Sequence, residues 1–250
     1  MIQLADLNQQ AAESEIISLI AVIETALCIG AGGSSGSLAD KPMLKNAVGQ
    51  LVIPASQLKG RLRHECEKLT RALQLPTCES PAAASMCPQR VGLTDNFQRS
   101  EYDVGDRNNA GNPRYHCYIC QIFGNPSLPA KVLFNDLICT EKPENIPEVL
   151  RPGVTINRRR RTAEEQKLYF LETSPANVPL SFTGEIILQP DAPAFAKALL
   201  LAGLQHIHAL GGSKSAGLGW LRWQFPNPDQ IQLSENAWDA FKVGGGRETN

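Results

Sequence analysis

The 250-residue chain has no apolar run that reaches the ~18 residues of a membrane-spanning helix. Its opening stretch, MIQLADLNQQAAESE, lacks the basic-then-apolar order of a signal peptide. A cytoplasmic location with no membrane partner is therefore the expectation. In that compartment seven cysteines, an odd number confined to the first three-fifths of the chain, read as metal ligands or free thiols rather than disulfides. A dominant charge sign is also missing: the net charge is −1, so bulk electrostatics do not announce a polyanionic partner. Aromatics make up only 6% of residues, and no strand carries the aromatic-glycine signature of an RNA-stacking sheet. What remains is globular in composition, 42% hydrophobic and 20% charged, and long enough for one elaborated domain.

Local charge is more telling than the total. Lys59, Arg61, Arg63, Lys68 and Arg71 cluster within thirteen residues, and Arg158, Arg159, Arg160 and Arg161 form an unbroken run. A local basic stripe can grip a polyanion while the whole chain stays near neutral; solvated helix charge is the favoured reading of KLTR alone, but not of four adjacent arginines.

The glycine-rich stretch ALGGSKSAGLGW offers backbone N–H groups beside Lys214, a combination suited to phosphate. It is not a P-loop, because Gly212, Ser213, Lys214 and Ser215 read G-S-K-S and the order is helix, loop, strand. A plain turn, with Gly211 and Gly212 capping the preceding helix, is the alternative.

Hydrophobic periodicity orders the rest. Ile17, Leu19, Ala21, Ile23, Thr25, Leu27 and Ile29 alternate as one long strand, followed by the glycine-serine loop GAGGSSGSLADKP. QLVIP is a short strand. SQLKGRLRHECEKLTRALQL is a helix with Ser56 as N-cap and Leu58, Leu62, Cys66, Leu69 and Leu73 as its apolar stripe. Regular patterning stops from 76 to 130, where DNFQRSEYDVGDRNNAGNPRYH is too polar to build a core and needs an external staple. KVLFNDLICT resumes as a strand, 151–180 projects as a basic hairpin, and Ser181 to Leu188 is again a strand. A helix from Phe195 to Leu210 and a strand carrying Leu221, Trp223 and Phe225 complete the core, leaving a loose tail at 226–250. This split alternation predicts a single α+β domain with a ferredoxin-like core.

Two constellations carry chemistry. Cys78, Cys87, Cys117 and Cys120 include a C-x-x-C pair, a spacing that lets thiolates converge on a structural Zn2+; His64 and Cys66 are substitute ligands, whereas Cys28 and Cys139 lie in strands as inert thiols. Asp40 stands in a glycine-rich loop ahead of a proline and two lysines. Such a carboxylate could activate or orient a ribose 2′-hydroxyl or hold Mg2+ or another divalent ion; a turn former is the competing reading. Lys59, at the start of its helix beside Gly60, is placed to meet a phosphate. No histidine partners Asp40, since His206 and His208 lie far along the chain on a helix that reads as buried.

Taken in order, the GSLADKP loop, IPASQLKGRLR, CYICQIFGNP and LGGSKSAGLGW resemble the RAMP superfamily of CRISPR-associated proteins, from about Ile17 to Phe225. The likeness is greatest to the backbone RAMP subunit of type III effector complexes, of the III-D branch. It implies a modified RNA-recognition fold, a zinc-binding insertion at 76–130, and a thumb hairpin at 151–180 that interrupts a guide–target duplex. It implies that the loop from Gly211 to Gly219 contacts the guide RNA backbone and that Asp40 enables metal-dependent cleavage of target RNA. The implied partners are CRISPR RNA, target RNA, neighbouring RAMP proteins and a large signature subunit. Ala55 departs from the family's pattern, standing where a glycine is expected. A non-catalytic scaffold and a guide-processing ribonuclease, for which His64 is the candidate histidine, are the alternative readings.

Overall fold

In the computed structural model, residues 13–30, 39–75, 77–82, 86–87, 116–126, 128–233 and 237 are described. The glycine-serine loop at 31–38, most of the polar stretch DNFQRSEYDVGDRNNAGNPRYH and most of the tail fall outside these residues.

Alternating burial of Ile17, Leu19, Ala21 and Ile23 builds β1 (Glu15–Ile23). It lies inside the main sheet, where the central strand β7 (Leu180–Leu188) pairs with it antiparallel from Glu15↔Leu188 to Ile23↔Leu180. Its other edge holds β8 (Leu221–Gln224), with Ile23 opposite Leu221. Beyond β7 come β4 (Leu137–Cys139) and then β2 (Val52–Ile53), giving the order β2-β4-β7-β1-β8. The short β3 (Val132–Phe134) pairs with the far end of β7. The stretch KVLFNDLICT is therefore two strands, broken at Asn135–Asp136 where a single strand was expected.

The break frees Asp136 for another task. Helix α1 (Ala55–Ala72) has Pro54 at its N-cap position with no side-chain cap, and Asp136 Oδ1 accepts the Ala55 amide at 2.7 Å. Ser56 sits inside the first turn and is not the cap. Leu58, Leu62 and Cys66 form the buried stripe as expected, but Leu73 lies beyond the last turn and is exposed.

Helix α3 (Ala196–Gln205) packs beside α1, and both cover the face of the sheet that carries Leu19, Phe182 and Leu221. The two helices approach closely at Gly203, where a Cβ would meet Leu62 Cδ1 at 2.7 Å and Cys66 Sγ at 2.8 Å. Burying side chains such as Leu62, Leu199 and Leu204 contributes roughly 1.5–3 kcal/mol each. The expected helix to Leu210 stops five residues early, because the chain straightens so that Ala209 can bridge Trp220. Gly211 and Gly212 are consequently not its cap, and His206 and His208 are exposed rather than buried.

A second sheet is the hairpin of β5 (Val149–Asn157) and β6 (Thr162–Thr173), which pair from Val149↔Thr173 to Asn157↔Thr162. No described helix is long and apolar enough to cross a membrane.

Candidate functional site

The three motifs separated in the sequence meet at one end of the main sheet. The strand expected to reach Ile29 ends at Ile23 with a bend at Thr25, and neighbours hold the segment beyond from both sides. On one flank the Leu27 amide donates to Ser174 Oγ at 2.9 Å and the Ser174 amide to the Leu27 carbonyl at 3.0 Å. Ser174 directly follows β6, so this flank is the foot of the hairpin. On the other flank the Gly219 amide donates to Ala26 O at 2.8 Å and the Gly212 amide to Cys28 O at 2.7 Å. That flank is the glycine loop. One extended segment thus separates the hairpin from the loop.

Asp40 joins this arrangement from a third direction. The Leu44 amide bonds Ile29 O at 2.9 Å, folding residues 39–44 back along the end of β1. Lys41 bridges Leu171 in parallel fashion, and the Glu172 amide donates to Lys41 O at 3.2 Å. The Asp40 amide donates to Phe170 O at 3.0 Å, while Asp40 Oδ2 accepts the Phe170 amide at 2.7 Å. The exposed carboxylate is therefore fixed against the hairpin foot. Behind it, buried Glu172 accepts the Met43 amide at 3.2 Å and lies 3.9 Å from Lys45 Nζ.

The loop itself has a fixed exit and an open crest. Gly219 has φ +72°, and a Cβ there would fall 1.8 Å from Leu210 O, so no side chain fits. Gly212, Ser213, Lys214 and Ser215 are exposed, whereas Gly211 is buried. Lys214 Nζ donates to Gly211 O at 3.0 Å, tying its charge to the loop rather than leaving it to sweep through solvent. At the hairpin tip, Asn157 Oδ1 accepts the amides of Arg159 and Arg160, shaping a turn from which Arg158, Arg159, Arg160 and Arg161 project exposed. Among the described residues none of these four arginines enters an ion pair.

The α1 cations are in a different state. Arg61 pairs with Glu65 at 2.9 Å and Arg63 with Glu67 at 3.1 Å, both at i,i+4, and Arg63 Nη1 also donates to Gly124 O at 3.3 Å. Their charge is largely matched, and Arg63 ties α1 to the short helix α2 (Tyr118–Phe123). Lys59 is half-buried and enters no ion pair among the described residues, but the helix start beside it is occupied by the Asp136 carboxylate.

The four cysteines converge elsewhere. The Sγ atoms of Cys78, Cys87, Cys117 and Cys120 all lie within 4.8 Å of one another, buried, with Cys78 and Cys120 Sγ 3.6 Å apart. Tetrahedral zinc with bonds of about 2.3 Å separates its sulfurs by about 3.8 Å, so the donor set fits such a metal. His64 is exposed, and Cys66 Sγ faces Leu199 O, so neither substitute ligand belongs to the cluster. Burial, with Glu67 and Glu65 nearby, pushes the Cys66 thiol up and keeps it neutral. Burial likewise raises Cys28 and Cys139. Within the cluster, hydrogen bonds from Cys117, Cys120 and Cys87 hold Cys78 below the ordinary thiol range, while the same sharing holds Cys87 and Cys120 above it.

Cluster and motif assembly occupy opposite ends of the sheet. The Lys131 amide bonds Ile122 O, joining α2 to β3, which pairs with the Ile186–Leu188 end of β7. Asp40, the glycine loop and the hairpin foot gather around Ile23 and Leu180 instead. The cluster therefore lies apart from the Asp40 assembly.

Sequence reasoning missed Phe170, Ser174 and Asp136. The first acts through its backbone, which leaves no residue-type signal. The Ser-Pro dipeptide at 174–175 and the Asn-Asp break at 135–136 were legible as turn signals, but their partners were not.

The RAMP superfamily model matches residues 21–222, from within β1 to within β8. No curated protein matches the chain. The matched span takes in Asp40, the cysteine cluster, the hairpin and the glycine loop. The chain belongs to the RAMP superfamily, and that membership suggests a CRISPR-associated, RNA-binding subunit.

Proposed function

We propose that this chain is a CRISPR RNA-binding backbone subunit of a type III effector complex, of the III-D branch, and that Asp40 is its catalytic group for cutting guide-paired target RNA. The observation that carries the reading is the convergence of Asp40, the hairpin foot and the glycine loop on the end of β1. We read the sheet order, with α1 and α3 on one face, as a ferredoxin-like core of modified RNA-recognition type. The cluster Cys78, Cys87, Cys117 and Cys120 would hold a structural Zn2+ that fastens the insertion.

In this reading the exposed crest of the glycine loop, Ser213 to Ser215, holds the guide backbone with Lys214. The arginines at the hairpin tip meet phosphates without regard to sequence, which base pairing reads. The hairpin separates neighbouring nucleotides and leaves one unstacked beside Asp40, where a 2′-hydroxyl can align with its own phosphate; such orientation alone lowers a barrier substantially. Asp40 is exposed and has one carboxylate oxygen committed to the Phe170 amide, with no hydrogen bond to Oδ1 among the described residues. One carboxylate together with RNA phosphates is the donor set that Mg2+ accepts, and a bound divalent ion would supply charge neutralisation at the reacting phosphate. Neighbouring RAMP proteins and a large signature subunit are the protein partners this role requires.

A specific observation favours a second reading, a non-catalytic scaffold: the brace to Phe170 gives Asp40 a structural task of its own. Asp40→Asn in the reconstituted complex separates them, because the amide oxygen preserves the brace while the charge is lost. Loss of the target-RNA cut at this subunit with assembly intact supports catalysis; undiminished cutting overturns it. The guide-processing reading has less support, since His64 lies exposed on α1, away from this assembly.

A further inference from the structure

Trp220 is half exposed, at 50% of its full accessibility, directly after the fixed Gly219 exit of the glycine loop. An indole is normally among the most profitably buried side chains, and Trp223, three residues on, is packed against the core with its Nε1 donating to Ile207 O at 3.2 Å. Strand alternation puts Leu221 and Trp223 on the helix-covered face, and Trp220 and Arg222 on the face that no described helix covers.

The exposure is not a matter of slack backbone. The Trp220 amide donates to Thr25 Oγ1 at 3.0 Å, its carbonyl accepts the Glu24 amide at 2.8 Å, and Ala209 bridges it from the other edge. A rigid strand therefore displays a large π-surface at the mouth of a loop whose crest, Ser213 to Ser215, is exposed. Arg222, on the same face, pairs with Glu24 at 3.2 Å and adds a cation two residues along.

Rigid display of an aromatic beside a backbone-gripping element is the arrangement that binds single-stranded nucleic acid, in which every base has a π-face to stack. We propose that Trp220 is a stacking platform for one unpaired base of the RNA strand held at the glycine loop. This rests on the RNA-binding reading above and adds to it a base-contacting residue that is indifferent to base identity. It operates without the aromatic strand signature whose absence from the sequence argues against stacking across the whole sheet.

The test uses the full chain and a labelled single-stranded RNA oligonucleotide, titrated intact and with each nucleotide in turn replaced by an abasic riboside. Trp220→Ala is expected to weaken the intact oligonucleotide about tenfold, and Trp220→Phe much less. One abasic position should weaken wild-type binding by a similar factor yet leave Trp220→Ala unaffected, since the stacked base is already unused. Lys214→Ala should weaken every oligonucleotide equally. If wild type and Trp220→Ala suffer identical abasic penalties while Lys214→Ala still weakens binding, stacking is overturned and the RNA reading stands. A Trp220→Ala chain that binds RNA normally but changes its oligomeric state also overturns it, assigning the indole to a protein contact. If the wild type binds no RNA, both readings fall together. Should Trp220→Ala lower the melting temperature, the abasic comparison between wild type and Trp220→Phe decides: a reduced penalty at the same single position supports stacking, and unchanged penalties overturn it.

Discussion

Asp40 and Phe170, 130 residues apart, exchange two hydrogen bonds: the Phe170 amide reaches Asp40 Oδ2 at 2.7 Å, and the Asp40 amide reaches the Phe170 carbonyl at 3.0 Å. The carboxylate cannot be moved without disturbing the root of the hairpin. Asp40→Ala should remove one of these bonds and leave the Phe170 amide exchanging faster with solvent, at a cost of about 1 kcal/mol for a charge-assisted bond at an exposed site. Asp40→Asn should retain slow exchange. Hydrogen–deuterium exchange of the peptide spanning Leu168 to Glu172 reads the difference, and equal protection in both variants contradicts the brace.

The metal cluster yields an expectation independent of RNA. The full chain should carry one zinc per molecule, and Cys117→Ser should lose it, as elemental analysis will show. A chelator should lower the melting temperature of the wild type but not of Cys117→Ser. Thiolates must be deprotonated to bind metal, so retention should weaken as pH falls and protons compete. Because the cluster lies at the opposite end of the sheet from Asp40, partial metal loss should reduce stability before it reduces RNA affinity.

Much of this architecture was legible because it is local. The alternation of Ile17, Leu19, Ala21 and Ile23 and the stripe of Leu58, Leu62 and Cys66 are periodic signals that burial enforces. The ion pairs of Arg61 with Glu65 and Arg63 with Glu67 were equally readable from their i,i+4 spacing, and they temper the reading of α1 as a basic RNA-binding surface. The illegible part is what distant segments supply. Asp136 caps a helix 81 residues upstream, Phe170 braces Asp40, and the end of α3 is set by the pairing of Ala209 with Trp220 rather than by a local stop signal. Backbone donors and acceptors look alike in every residue, so no composition or spacing points to them.

The glycine loop offers a paired control. Gly217 and Gly219 both have positive φ, +85° and +72°, but a Cβ at Gly217 meets nothing within 4 Å, whereas one at Gly219 falls 1.8 Å from Leu210 O. Gly217→Ala should cost only the left-handed penalty of about 1–2 kcal/mol. Gly219→Ala adds a backbone clash that must break the bond from the Leu210 amide to Gly219 O, so its loss should exceed about 3 kcal/mol. Urea denaturation of the two variants compares them directly, and equal midpoints are incompatible with the tight exit.

The two groups of arginines should separate by salt dependence. Arg158 to Arg161 are exposed without carboxylate partners among the described residues, while Arg61 and Arg63 already have theirs. Replacing the four tip arginines with alanine should lower RNA affinity for every sequence and flatten the dependence of log affinity on log salt by up to about 3, given roughly 0.7 per phosphate on a single strand. Folding stability should stay within about 0.5 kcal/mol, since no packing is lost. Arg63→Ala should do the reverse. It leaves the carboxylate of Glu67, which is 8% exposed, with only the longer pair to Arg71 at 3.8 Å, and frees the Gly124 carbonyl, so it should destabilise the junction of α1 and α2 by about 1–2 kcal/mol while leaving the salt slope unchanged. Thermal melts and affinity titrations at several salt concentrations decide the matter. A flattened slope in Arg63→Ala would return α1 to the RNA-binding surface and require its ion pairs with Glu65 and Glu67 to open when the strand arrives.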